Sequence, residues 1–392
     1  MLDVQVSAVQ SLAISAAAVA LGAWMQRRIP LLRRSAIPAP IIGGLIFALA
    51  VLALRGRVAN FAFDTSLRDL LMLVCFTIIG LNSSLDLLKR GGLMTPWLLA
   101  LASLGAILQN ATGMALAKLL GLQPLIGALA GSVSLAGGPA TSIAFGAEFE
   151  KLGVPGAATI GLASATFGIA VAGLIAGPLG DWIVRRNSLR PSASQSGSEM
   201  EGERSTRGAL LSHSLWIAVC LGAGSLVSGA VAAAKFTLPG YVGAMVVAAV
   251  VRNLDDRFHF ARFSALTLGE IFQAALPLFI GIAMATLKLW DLSALAVPLL
   301  ALLCAQIAIT ALFCAACFRF LGRDYDGAVI AAGFTGFMVG ITPNAMASMA
   351  EIEAKHGPSP KAILTVPIVG GFLNDFTNSV IITAFAGFVA KS

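Results

Sequence analysis

Along the chain, long apolar runs alternate with short breaks rich in charge, glycine or proline. A run such as 215–231 is apolar on every side, the pattern of a helix surrounded by lipid rather than of an amphipathic helix at the edge of a soluble core. Runs between breaks predict spans at 8–24, 38–54, 70–88, 96–117 and 157–183, and then at 209–232, 238–251, 267–287, 294–318 and 362–387. A transmembrane barrel would instead show segments of about 10 residues with alternating polarity, so helices are the spanning element. The opening residues MLDVQVSAVQ carry no basic n-region and no cleavage site, and read as the start of the first helix.

The pattern divides in two. Residues 185–208 (RRNSLRPSASQSGSEMEGERSTRG) are nearly free of apolar side chains and rich in serine, the composition of a solvated linker. They separate a first membrane half, 1–184, from a second, 209–392. Each half also holds one apolar stretch broken by glycine and proline: 124–145, interrupted by SLAGGPATS at 134–142, and 327–350, interrupted by GFTGFMVGITPN at 333–344. Proline and clustered glycine break a continuous helix, and each stretch is long enough for two half-helices. Both are therefore predicted to be re-entrant hairpins, entering and leaving on one side and buried or lining a cavity.

Composition agrees with this reading: 58% of the 392 residues are hydrophobic and only 11% charged, against roughly 25% charged in a soluble domain. The formal net charge of +7 does not imply a nucleic-acid partner, because the basic residues sit in short loops where they report topology. With the N-terminus outside and neither hairpin crossing, 18 of the 26 lysines and arginines fall on the inner side, among them Arg33, Arg34, Lys89, Arg90 and Arg204. Both termini are then external. Five crossings per half is odd, so the second half enters the membrane inverted. Gln109 and Gln306 occupy the fourth span of each half, and each is followed by a broken stretch and a last span. The predicted fold is an all-α integral membrane protein of two inverted repeats, each of five transmembrane helices and one hairpin. Paired Gly/Pro-broken segments in two such halves mark a transporter's binding site.

The candidate chemistry lies at those breaks. Half-helix N-termini carry partial positive charge and hold an anion without arginine. The candidate substrate-binding residues are Ser134, Gly137, Gly138, Pro139, Thr141 and Ser142 in the first break, and Thr335, Gly336, Gly340, Thr342, Pro343 and Asn344 in the second, with Gln109 and Gln306 beside them. The plainer alternative gives the glycines to helix packing, since Gly127/Gly131 and Gly336/Gly340 have GxxxG spacing. Asp375 lies mid-span within GGFLNDFTNSV; an ionisable group at that depth is expensive and usually functional. With Asn374 and Asn378 it offers hard oxygen ligands to a small cation, Asp375 and Asn378 being three apart on one helix face. His213, His259 and His356 fall at span ends or in loops and read as solvated, Trp24, Trp97, Trp182, Trp216 and Trp290 as interfacial anchors. The five cysteines, Cys314 and Cys317 included, read as packing residues. No nucleophile–base pair or metal-ligand cluster suggests an enzyme or a resident cofactor.

Several ordered stretches carry a resemblance: IPAPIIGGL at 37–45, SLRDLLML and TIIGLN within 66–82, QNATG at 109–113, LLGLQPLIGALAGSVSLAGG at 119–138, ATFGIAVAGLIAGP at 165–178, LKLWDL at 287–292, AAGFTGFMVGITPNAMASM at 331–349 and VPIVGGFLNDFTN at 366–378. Over nearly its whole length the chain resembles the bacterial sodium–glutamate symporters. The resemblance implies Na⁺-coupled import of glutamate across the bacterial inner membrane, a homodimer in lipid, and Na⁺ as coupling ion near Asp375, Asn374 and Asn378. Typical members read SGGHGTG where this chain reads AGGPATS at 136–142, with Pro139 in place of the histidine and Ala140 in place of the next glycine. A related small carboxylate therefore stands beside glutamate as substrate. Two further readings remain open from the residues: a cation/proton antiporter, and an ion channel with the broken helices as its filter.

Overall fold

The computed structural model describes residues 2–29, 38–55, 58–86, 92–191, 207–233, 240–287 and 295–389. Most of the 185–208 linker lies outside them, as do Arg33, Arg34, Lys89, Arg90, Arg204, Trp290 and most of the 287–292 motif. All ten predicted runs fall on helices. In the first half these are α1 (Ala8–Arg28), α2 (Ala39–Leu54), α3 (Ser66–Asn82), α4 (Met94–Leu119) and α7 (Ala157–Arg186). In the second they are α8 (Arg207–Ala233), α9 (Gly240–Phe258), α10 (Ala265–Ala285), α11 (Ala296–Cys317) and the run α14 (Pro360–Ile368) to α15 (Asn374–Val389). The broken stretches become α5 (Pro124–Ala128) with α6 (Gly138–Lys151), and α12 (Tyr325–Val339) with α13 (Thr342–His356). Among the described residues, seven helices are long and apolar enough to cross a membrane. The chain is thus a multi-pass membrane protein.

The opening residues do not begin the first helix. Leu2–Val6 form strand β1, paired in parallel with β2 (Ala59–Phe63), Val6 opposite Phe63. Leu2, Val4 and Val6 alternate with Asp3 and Gln5, a period of two, and the helix starts only where Ser7 caps it. There the Ser7 N–H donates to Gln10 Oε1 at 2.9 Å and Ser7 Oγ accepts from the Gln10 N–H at 3.4 Å. The parallel ribbon places the starts of α1 and α3 at the same end of the molecule. Other boundaries shift too. The third run stops at Asn82, where Asn82 Nδ2 and Ser83 Oγ donate back to Ile78 and Ile79 carbonyls, and both hairpin arms run past the predicted limits, to Lys151 and His356.

The helices sort into two groups by packing. One holds α1–α3 with α8–α10; the other holds α4–α7 with α11–α15. In the first group the crossings are made flush by glycine. A Cβ on Gly43 would lie 1.7 Å from the Ala18 carbonyl oxygen, and one on Gly224 2.3 Å from Ala244 Cα. These two contacts, α1 on α2 and α8 on α9, occupy corresponding places in the two halves. So do Gly80 of α3 against Met245 of α9 and Gly44 of α2 against Met284 of α10.

Two histidines read as solvated are not. His213 is buried, and its Nε2 accepts the Ser264 N–H at 2.8 Å, satisfying a backbone donor at the start of α10. His356 pairs with Asp181 at 2.7 Å and ties α13 to α7. His259 is exposed. Asp255, buried near the end of α9, accepts three backbone N–H groups, from Ala261, Arg262 and Phe263, at 2.7, 3.0 and 3.0 Å. Asp255→Ala leaves three donors without a partner, each worth about 1–3 kcal/mol. The expected result is a melting midpoint in detergent several degrees below wild type, and an unchanged midpoint would show that water replaces the carboxylate.

Candidate functional site

The two breaks and the last helix converge on one place. In the first, the chain leaves helical geometry at Gly131 (φ −101°, ψ −130°), passes a π-helical turn at Leu129–Val133, and restarts at Gly138, whose φ of +68° suits glycine. Pro139 takes the first turn of α6, where its missing N–H costs no helical bond. In the second, Gly340 (φ −137°, ψ −120°) ends α12, and Asn344 caps α13, its Oδ1 accepting the Ile341 N–H at 3.3 Å. A Cβ on Gly138 would lie 2.9 Å from the Ile341 side chain, so the two hairpin tips touch.

The last helix is held by both tips. Pro367 and the Gly370–Gly371 pair interrupt it, giving a π-helical turn at Val369–Leu373. The Gly370 carbonyl accepts from Thr342 Oγ1 of the second break at 2.5 Å. One turn further, Asn374 Nδ2 donates to the Ala136 carbonyl at 3.2 Å and Asn378 Nδ2 to the Ser132 carbonyl at 2.9 Å, both in the first break. Each amide is thereby oriented through its nitrogen, and each is buried. Yet Asn374 Oδ1 and Asn378 Oδ1 accept nothing, and neither does Gln109 Oε1. Buried amide oxygens without a donor are costly. A desolvated cation, which needs oxygen ligands and offers no proton, fits them. Asp375, beside Asn374 and midway along the 30-residue apolar run Pro360–Val389, is part-buried. No hydrogen bond or ion pair of its carboxylate occurs among the described residues.

The other predicted residues divide by what their side chains already do. Ser134 Oγ donates to the Gly161 carbonyl at 2.8 Å, and Ser142 Oγ reaches Ser134 Oγ at 2.9 Å and the Gly138 carbonyl at 2.8 Å, so these two hydroxyls brace the first break from within. Thr335 Oγ1 bonds back to Ala331 of its own helix. Gly336 lets α12 and α13 meet, since a Cβ there would lie 2.6 Å from Ala345 Cα, and Gly137 is as tightly set against Thr141. Asn344 Nδ2 donates to the Ile169 carbonyl of α7 at 3.0 Å, and Pro343 stands in the first turn of α13. Gln109 and Gln306 interlock α4 and α11. Gln109 Nε2 donates to Thr310 Oγ1 at 2.9 Å and to the Met338 carbonyl at 2.8 Å, Gln306 Nε2 to the Gln109 carbonyl at 2.9 Å.

Ser132 and Asn110 enter the site through structure. Ser132 supplies the carbonyl that orients Asn378, while its hydroxyl donates to Asn110 Oδ1 at 2.9 Å. The available signal was positional: Asn110 adjoins Gln109, and Ser132 lies two residues ahead of the stretch chosen from sequence. No cluster of three or more His, Cys, Asp or Glu side chains able to hold a metal occurs among the described residues. At the end of the molecule that carries β2, a crevice of about 590 Å³ opens between α2, α3 and α10 on one side and α6 and α7 on the other, with Arg55 and Arg68 on its wall. Arg68 is paired with Asp69 at 2.8 Å.

The family model for the sodium/glutamate symporter matches residues 4–358. This chain belongs to the sodium/glutamate symporter family. It is 37% identical to the sodium/glutamate symporter of Escherichia coli (strain K12), over 93% of this chain and 94% of that one. It is 34% identical to the symporter of the same description from Haemophilus influenzae, over 96% of each. Among solved structures, the sodium proton antiporter MjNhaP1 from Methanocaldococcus jannaschii at pH 8 is similar at a TM-score of 0.43 and 16% identity, over 98% of both chains.

Proposed function

We propose that this family member is a Na⁺-coupled symporter that imports glutamate or a closely related small carboxylate across the bacterial inner membrane. The observation that carries the reading is the set of buried amide oxygens, Asn374 Oδ1 and Asn378 Oδ1 foremost, held in place through their nitrogens and left without donors. Na⁺ is bound there as co-transported cargo, with Asp375 supplying the negative charge. The anion's carboxylate rests against the N-termini of α6 and α13 at the touching hairpin tips. The crevice between α2, α3 and α10 and α6 and α7 is its approach from outside. Pro139 gives that end of α6 an apolar ring with no donor, so the substrate's far end meets a less polar wall.

Residues 1–184 and 209–392 form the two inverted repeats, joined by the cytoplasmic linker 185–208, with both termini external. The matched glycine crossings of α1 on α2 and α8 on α9 support the repeat. The hairpins then enter from opposite faces, and transport moves the hairpin-bearing group against α1–α3 and α8–α10. The protein works as a homodimer in lipid.

Uptake of radiolabelled glutamate into proteoliposomes should rise at least tenfold when an inward Na⁺ gradient is imposed; equal uptake with and without the gradient would remove the coupling. Asn374→Ala and Asn378→Ala each delete an amide oxygen and one hydrogen bond to a break carbonyl, about 0.5–1.5 kcal/mol. Each should raise the Na⁺ concentration for half-maximal uptake by about tenfold. A shift confined to the glutamate KM would move these asparagines from the cation to the anion.

A further inference from the structure

Two cavities lie end to end along the seam of α7 and α11, outside the transport site. The first, about 560 Å³, is apolar and lies at membrane depth, walled by Leu174 and Pro178 of α7 and by Cys304, Ala308 and Ala311 of α11. The second, about 750 Å³, lies where both helices end and is walled by Trp182, Arg186, Ala315, Arg319 and Arg323. On α7, positions 174, 178, 182 and 186 form one stripe of four-residue spacing. On α11 a matching stripe, at positions 304, 308, 311 and 315, runs on to Arg319 in the turn that follows it. Small residues on α11 and a proline on α7 keep the seam open, while Leu174 and Trp182 stand 73% and 51% exposed beside it.

The polar end is built for negative charge. Arg186, Arg319 and Arg323 have no carboxylate partner among the described residues. Arg186 lies over the Trp182 ring, 5.2 Å from its centroid. Arg323 Nε donates to the Arg319 carbonyl. The acids nearby are engaged elsewhere: Asp181 with Arg185 and His356, and Asp324 with the Gly327 N–H at the start of α12. By the charge distribution this end faces the cytoplasm.

We infer that the α7–α11 seam is a binding site for an anionic phospholipid of the cytoplasmic leaflet, its phosphate among Arg186, Arg319 and Arg323 and an acyl chain in the groove between Leu174 and Ala308. The continuity of a basic pocket with an apolar groove fits a diacyl lipid. A second copy of the chain would need acidic groups to meet three guanidinia, and a free phosphate would leave the groove unused.

Native mass spectrometry of the full chain, titrated with phosphatidylglycerol or with phosphatidylcholine of the same acyl chains, tests this. At least tenfold preference for phosphatidylglycerol is expected. The triple variant Arg186→Gln, Arg319→Gln, Arg323→Gln should weaken that binding on the order of 100-fold. Ala308→Trp, which fills the groove and keeps the arginines, should weaken it about tenfold, and Arg185→Gln, whose partner is Asp181, should leave it unchanged. If the triple variant fails to fold, single arginine variants should each give about a fivefold loss. Equal affinity for the two lipids, arginine variants that bind as wild type, or arginine variants that lose a dimer mass and no lipid would each overturn the inference, the last by making the seam a contact between copies.

Discussion

Asp375→Asn should abolish the Na⁺ dependence of uptake while the protein still folds and inserts. The substitution keeps size and shape and removes one negative charge beside Asn374, at the midpoint of the Pro360–Val389 run. Neutral carbonyl oxygens can replace an alkali ion's hydration, but a formal negative charge beside two amide oxygens adds a direct attraction that they lack. Two unit charges about 4 Å apart at an effective dielectric near 20 attract by about 4 kcal/mol, and each 1.4 kcal/mol is tenfold in affinity. Half-saturation by Na⁺ should therefore rise about a thousandfold, out of any accessible range, and glutamate uptake should fall to the level seen without a gradient. The measurement is initial uptake rate against Na⁺ concentration for wild type and variant at matched reconstitution. Na⁺ dependence retained with the wild-type half-saturation would take Asp375 out of the coupling site and leave the ion to Asn374 and Asn378.

How much of this site was legible from sequence depends on the kind of interaction involved. The spans were legible because lipid imposes an apolar run of about 20 residues on any crossing helix. The breaks were legible because glycine and proline act locally on the backbone. Asp375 stood out by its depth alone. Asn374 and Asn378 were legible as oxygen ligands beside Asp375, but the carbonyls that orient the two amides, at Ala136 and Ser132, were not. Those carbonyls lie more than 230 residues earlier, in the stretch where the chain leaves helical geometry at Gly131. For the same reason Gln109 and Gln306 were recognisable as counterparts, while their interlocking across α4 and α11 was not. The strand at Leu2–Val6 was missed because its partner, Ala59–Phe63, lies beyond two helices.

Gly127→Ala should cost more stability than its one added methyl suggests, because the contact it fills is backbone on backbone. A Cβ at Gly127 of α5 would lie 2.0 Å from the Gly113 carbonyl oxygen and 2.6 Å from the Met114 nitrogen of α4; one at Gly113 would lie 2.3 Å from the Gly127 oxygen and 2.5 Å from Gln306 Nε2. No rotamer relieves either overlap, so α4 and α5 must separate. Close approach of small residues is what holds such helices together in lipid, and overpacking typically costs about 1–3 kcal/mol, occasionally more. Separation also carries Gly131 and Ser132 away from α4, and with them the Ser132 hydroxyl from Asn110 and the Ser132 carbonyl from Asn378. Gly127→Ala is therefore expected to lower the melting midpoint in detergent by several degrees and to cut Na⁺-driven uptake at least tenfold. Gly222→Ala, where the added carbon meets nothing within 4 Å, should match wild type in both measurements. A Gly127→Ala protein that melts lower but transports normally would show that the cation site tolerates movement of the first hairpin arm, and that the two asparagines follow the break rather than depend on its exact seat against α4.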